Sequence, residues 1–152
     1  MIVQFICRGN TFRSILAETY LRSLNIPGVQ VYSSGTVASL DKAGNAPNYE
    51  RVIALLKRHN IAQFAKPTYA EDIRQELVQK SDIVVFMNNR AYQGAAGKFT
   101  FPKETLVWNV SDLGELPHVP TTEEERIAAM ERTYAEIAQK VDELVRAYNL
   151  RR

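Results

Sequence analysis

A chain of 152 residues, 45% of them hydrophobic, fits one domain around one core. Its 19 Lys and Arg against 17 Asp and Glu leave a formal charge of +2 with both signs interspersed, which excludes a dedicated nucleic-acid surface. The one cysteine, Cys7, excludes an internal disulfide. Residues 1–6 are too short and too strand-like for a signal-peptide core or a membrane span, so a reducing cytoplasm is the expected setting.

Residues 2–6 carry Ile2, Val3, Phe5 and Ile6, the apolar run of a parallel strand covered on both faces. A polar loop follows, and residues 14–24 then place Ala17, Leu21 and Leu24, with Tyr20 beside them, on one helical face that Pro27 and Gly28 end. Residues 29–33 alternate and are β-rich, which predicts a second strand running into Ser34 and Gly35. A polar loop over 37–47 precedes a helix over 48–58 that buries Val52, Ile53 and Leu56. His59 falls at its end, where the helix dipole favours it. Ile73 and Leu77 predict a third helix over 69–80, with Glu71 and Gln75 on its exposed face.

Residues 83–87 are continuously apolar, as a central parallel strand would be, and Asn88, Asn89 and Arg90 stand at its carboxyl end. The tract Gly94, Ala95, Ala96, Gly97 fits a short helix plus a turn but fixes neither. Residues 105–108 read as the fourth strand, and 109–121 as a long loop. Thr121, Thr122 and Glu125 satisfy a capping-box pattern for a long core helix carrying Ile127, Met130, Ile137, Val141 and Leu144. Four strand and helix cycles imply an α/β fold in a single domain spanning 1–152: a four-stranded parallel sheet flanked by helices on both faces, with a phosphate-binding loop after strand 1.

That loop holds the candidate chemistry. Cys7 offers a nucleophile, and the backbone N–H groups of Arg8, Gly9, Asn10, Thr11, Phe12 and Arg13 are placed to turn inward on a phosphate-sized anion. Gly9 and Asn10 tolerate the left-handed backbone such a turn needs, Arg13 supplies a two-pronged fork, and Ser14 opens the helix whose dipole favours an anion and a thiolate. A lone cysteine after a strand otherwise reads as a small buried hydrophobe, but the strand, loop and helix context favours the cradle. Ser34, at the carboxyl end of the second strand, is in reach to brace the loop. Asp112 in the long loop is the candidate proton donor to a leaving oxygen, with Glu115 as the fallback. Leu40 marks a specificity loop, where Asp41 and Lys42 read as a solvated pair. His118, between Pro117 and Val119, has nothing to aim it at the thiol.

The stretch from Cys7 to Ser14 resembles the Cys-x-Gly-Asn-x-x-Arg-Ser signature of the low-molecular-weight protein tyrosine phosphatases. Residues 33–36, 81–87 and 108–112 are similar to later landmarks of that family in the same order. The resemblance implies phosphomonoester hydrolysis, on protein phosphotyrosine, through a cysteinyl-phosphate formed on Cys7. Arg13 and the loop bind the phosphate, Asp112 is the general acid, and Ser34 hydrogen-bonds into the loop with Asn10 and Ser14. No cofactor or metal is implied, and the expected partner is a phosphorylated protein or small phosphoester, with neither nucleic acid nor membrane involved.

The chain departs from the family in four places. Leu40 stands where an aromatic usually walls the cleft, and Leu113 and Gly114 follow the acid where proline usually restrains it. The stretch 62–67 after the second helix lacks the family's histidine, Gln63 being the nearest substitute, and Phe12 takes the place of a second cysteine. A small-thiol-dependent arsenate reductase and an oxyanion-binding protein with weak turnover are the alternatives.

Overall fold

The computed structural model describes residues 1–150; Arg151 and Arg152, and the side chain of Asp41, lie outside the described residues. The strands are β1 (Ile2–Cys7), β2 (Gln30–Gly35), β3 (Ile83–Phe86) and β4 (Glu104–Val107). The helices are α1 (Arg13–Ser23), α2 (Ala46–Arg58), α3 (Gln75–Lys80), α4 (Asn89–Ala95) and α5 (Glu123–Ala147), with short 3-10 turns at Ala38–Asp41, Ala62–Phe64 and Leu113–Glu115. Among the described residues the strands form one parallel sheet in the order β2-β1-β3-β4, as the alternating pattern predicts. β1, the strand that delivers Cys7, is therefore central.

Because side chains on a strand alternate, the sheet sorts its residues into two cores. Val3, Phe5, Val31, Ile83 and Val85 pack with Ile15 and Leu16 of α1, Leu55 of α2 and Ile137 and Val141 of α5. Ile6, Val84 and Phe86 pack on the other face with Val78 of α3 and Ala91 and Ala95 of α4. Each such side chain contributes roughly 1.5–3 kcal/mol on full burial, so both helical layers are held by the sheet.

Three elements differ from the sequence expectation. α1 is buried almost all round, including Ser14, Glu18 and Thr19 as well as Ala17 and Leu21, because it sits between the sheet and α5. α2 starts at Ala46, earlier than predicted, since Pro47 fits a first turn where its missing N–H costs nothing. The third helix covers only Gln75–Lys80, not 69–80. Ala70 takes a left-handed φ of 56°, Asp72 bridges Gly35 in parallel, and the Ala70 and Glu71 N–H groups donate to Asn10, so their backbone is already committed. The glycine-rich tract resolves into α4 and a turn with Gly97 at φ 80°. Thr122 caps α5 by accepting from the Glu125 N–H, and Ile127 is 38% exposed rather than core.

Candidate active site

Cys7 ends β1, and residues 8–12 turn the chain into α1. Two groups reach its sulfur: the Asn10 N–H donates to it at 3.2 Å, and Ser14 Oγ shares a hydrogen bond with it at 2.9 Å. Asn10 holds the left-handed conformation the loop requires, at φ 53°. α1 begins without a side-chain cap on Phe12, so its first N–H groups keep the free donors and partial positive charge that suit an anion. Phe12 contributes its backbone to the loop while its ring is part of the core, and Thr11 is likewise buried. Arg8 and Gly9 are half-buried at the mouth.

The loop is locked from behind. The Thr36 and Val37 N–H groups donate to the Cys7 and Arg8 carbonyls, each at 3.0 Å. A Cβ on Gly35 would lie 2.5 Å from the Arg8 carbonyl oxygen, so only glycine admits this approach of β2 to the loop. Asn10 is the hub: its Nδ2 donates to Ser14 Oγ and Ser33 Oγ, each at 2.9 Å, and its Oδ1 accepts from Lys66 Nζ at 2.6 Å. The serine in this network is Ser33, not the predicted Ser34. Ser33 lies on the α1 side of the sheet, whereas Ser34, one residue on, turns to the other side and accepts from Gln4 Nε2 at 3.1 Å.

Lys66 and Glu18 are the parts the sequence reading missed. Lys66, 9% exposed, donates to Asn10 Oδ1 and the Ser33 carbonyl and pairs with Glu71 at 2.9 Å. Gln63, the expected substitute for a supporting histidine, is exposed. Glu18, 1% exposed, accepts from Ser33 Oγ and Arg22, each at 2.8 Å. Burial pushes its carboxyl above the usual range, and the charges of Lys66 and Arg22 oppose that shift. The available signals were a lysine next to Pro67 and a glutamate four residues before an arginine in a helix.

Arg13, 2% exposed, reaches the loop that follows β4. Its Nη1 donates to the Val110 carbonyl at 2.9 Å, and its Nη2 lies 3.7 Å from Asp112 Oδ2. Asp112 caps the Leu113–Glu115 turn: its Oδ1 accepts from the Leu113 N–H, while Glu115 Oε1 accepts from the Asp112 N–H at 2.7 Å. Asn88 Nδ2 holds the same Glu115 oxygen at 3.2 Å. The expectation that Leu113 and Gly114 leave this loop freer is thus corrected, since a capping box restrains it.

Leu40 is 80% exposed. His59 pairs with Glu131 and His118 with Glu125.

A parallel α/β domain that presents a cysteine inside an oxyanion cradle, with a carboxylate tethered to the cradle's arginine, belongs to the cysteine-dependent phosphoryl-transfer class. Residues 2–151 match the family model of the low molecular weight phosphotyrosine protein phosphatases, and the chain belongs to that family of cysteine-dependent phosphatases. Solved structures agree in fold. A YwlE mutant from Bacillus subtilis is 23% identical over 98% of this chain and 99% of its own, with a TM-score of 0.72. A low molecular weight protein tyrosine phosphatase from T. tengcongensis is 18% identical over 97% and 99%, with a TM-score of 0.72. The YwlE arginine phosphatase from Geobacillus stearothermophilus is 19% identical over 97% and 92%, with a TM-score of 0.71. A comparison with curated proteins gives no match. Among the described residues no helix is long and apolar enough to cross a membrane.

Proposed function

We propose that the protein hydrolyses phosphotyrosine in a protein substrate through a cysteinyl-phosphate. The Cys7 thiolate attacks phosphorus in line while the amides of residues 8–13 and the Arg13 guanidinium take the equatorial oxygens. Asp112 gives its proton to the departing phenolic oxygen as the phosphorus–oxygen bond breaks. The resulting carboxylate then takes a proton from the water that attacks the phosphocysteine, releasing phosphate and the thiolate.

The observation that carries this reading is the buried Arg13, which joins the cradle to Asp112 at 3.7 Å. Asp112 is favoured over Glu115 as the acid. Glu115 Oε1 is committed to the Asp112 N–H and Asn88, whereas the Asp112 side chain is 51% exposed toward an incoming leaving group. Steady-state hydrolysis of an aryl phosphate and a phosphotyrosine peptide tests it: Cys7→Ser should abolish both, and retained turnover overturns the mechanism.

Phosphoarginine is the second reading. Leu40 and Leu113 leave the cleft without aromatic walls at those positions, and Asp112 and Glu115 suit a guanidinium leaving group; the Geobacillus stearothermophilus neighbour is an arginine phosphatase. A phosphoarginine kcat/KM above that for phosphotyrosine selects it.

A further inference from the structure

Glu18 is a fully buried carboxylate to which the catalytic scheme gives no part, yet the hydrogen bonds between it and the nucleophile have only one consistent direction. The Lys66 ammonium, at 2.6 Å, and the Glu71 N–H, at 3.0 Å, both point at Asn10 Oδ1. That assigns the oxygen side of the amide and turns Nδ2 to the serines. The nitrogen has two hydrogens and gives one to Ser14 Oγ and one to Ser33 Oγ, each at 2.9 Å. Each serine is left with its own hydrogen to place. Ser33 gives its hydrogen to Glu18 Oε1 at 2.8 Å, and Ser14 gives its hydrogen to Cys7 Sγ at 2.9 Å, since a thiolate only accepts.

We propose that Glu18 is a positioning residue for the nucleophile: as terminal acceptor of the chain running through Ser33, Asn10 and Ser14, it keeps the Ser14 hydroxyl donating to the Cys7 sulfur. The proposal rests on Cys7 being the nucleophile. A glutamine in its place has one acceptor oxygen, which the charged Arg22 fork, 2.8 Å from Oε2, claims first. An NH2 group then meets Ser33 Oγ as a second donor beside Asn10 Nδ2, so the Ser33 hydrogen loses its acceptor and the hydroxyl must re-aim. As Ser33 re-aims, its bond from Asn10 weakens, and with it the hold of Asn10 on Ser14 and the bond from Ser14 to the sulfur. Glu18→Gln is isosteric, and Glu18 borders a polar cavity of about 310 Å³ rather than the apolar core, so the fold can accept it.

The test reads Cys7 without turnover, as its rate of alkylation by iodoacetate at pH 6 and pH 9 in wild type, Glu18→Gln, Ser33→Ala and the double variant. Glu18→Gln should slow alkylation about tenfold at pH 6 and less than about twofold at pH 9, the size expected for one hydrogen bond to a charged group. The double variant should be no slower than Ser33→Ala. Equal losses at both pH values would indicate a distorted cradle, and a full Glu18→Gln loss in the Ser33→Ala background would mean that Glu18 does not act through Ser33; either result overturns the proposal. Should Glu18→Gln not fold, Glu18→Asp, which draws the acceptor back by one methylene, takes its place: a loss confined to pH 6 that vanishes in the Ser33→Ala background supports the relay, and unchanged rates overturn it. A wild-type protein with no phosphatase turnover would count against the proposed function while leaving this measurement intact.

Discussion

Cys7 is 2% exposed in a loop whose side-chain partners Asn10, Ser14, Ser33 and Lys66 are all buried, whereas Asp112 leaves 51% of its side chain in solvent on a three-residue turn. The cradle is fixed by hydrogen bonds away from water, where each one is strong and an unpaired group is costly. Asp112, the proposed acid, is fixed by a capping box at the surface, where such bonds are weak and exchange with water. In the proposed reaction one part of the site must hold an oxyanion in a constant geometry, and the other must let a substrate enter and a proton leave. Arg13 belongs to both.

The contrast can be broken at either end. Cys7→Ser should have the largest effect, about 10⁴-fold or more in kcat, because no other group supplies the covalent step; a phosphoester assay checks it. Asp112→Asn should cost about 10²–10³-fold on phenolic substrates and much less as the leaving group becomes more acidic, which a leaving-group series measures. An equal loss across the series would remove Asp112 from the acid role.

Gly35→Ala probes the rear of the cradle. Its Cβ would meet the Arg8 carbonyl at 2.5 Å, so the loop must shift, at a cost of about 1–3 kcal/mol in stability and with lost activity. Thermal melting beside the assay reads both.

Glu115→Ala opens the capping box of the acid turn and should lower kcat about fivefold, the equivalent of one lost cap, while leaving phosphate inhibition unchanged. A weakened phosphate affinity would show that the two regions are not separable in this way.

The smallest effect concerns Glu71 beside Lys66. Burial pulls its carboxyl up, but hydrogen bonds from Lys66 and Thr68 and the Lys66 charge outweigh that and hold it below the usual glutamate range. A depressed carboxyl stabilises the fold above its unfolded-state pKa and loses that contribution as pH falls through the folded value. The Tm difference between Glu71→Gln and wild type should therefore be open at pH 7 and close as pH drops below about 4.

Much of this site is local in the chain. Residues 7–14 announce a cradle because a strand, a small-residue turn and a helix start are all decided by neighbours a few positions apart. The strands were legible for the same reason, each within about two residues of its observed end. The helix expected over 69–80 was over-read because a distant strand, β2, claimed the backbone near Asp72. Ser34 was one residue off because alternation tells which two residues face opposite ways but not which of them meets Asn10.

The sequence by itself determined the α/β class and the strand, loop and helix start that bring Cys7 and Arg13 together, since local propensity and motif spacing carry these. Only the tertiary structure decided that Lys66, Ser33 and Glu18 hold the loop from behind, that Gly35 must be glycine, and that Asp112 is tied down by Glu115 and Arg13 rather than by a proline. Lys66, Ser33, Gly35 and the Asp112 tie to Arg13 depend on which side chains meet when β1 is laid between β2 and β3. Glu18 and Glu115 make short-range bonds, to Arg22 and Asp112, that spacing hints at. Burial against the sheet and the anchor at Asn88 give those bonds their role, and no spacing rule encodes a desolvated hydrogen bond between groups remote along the chain.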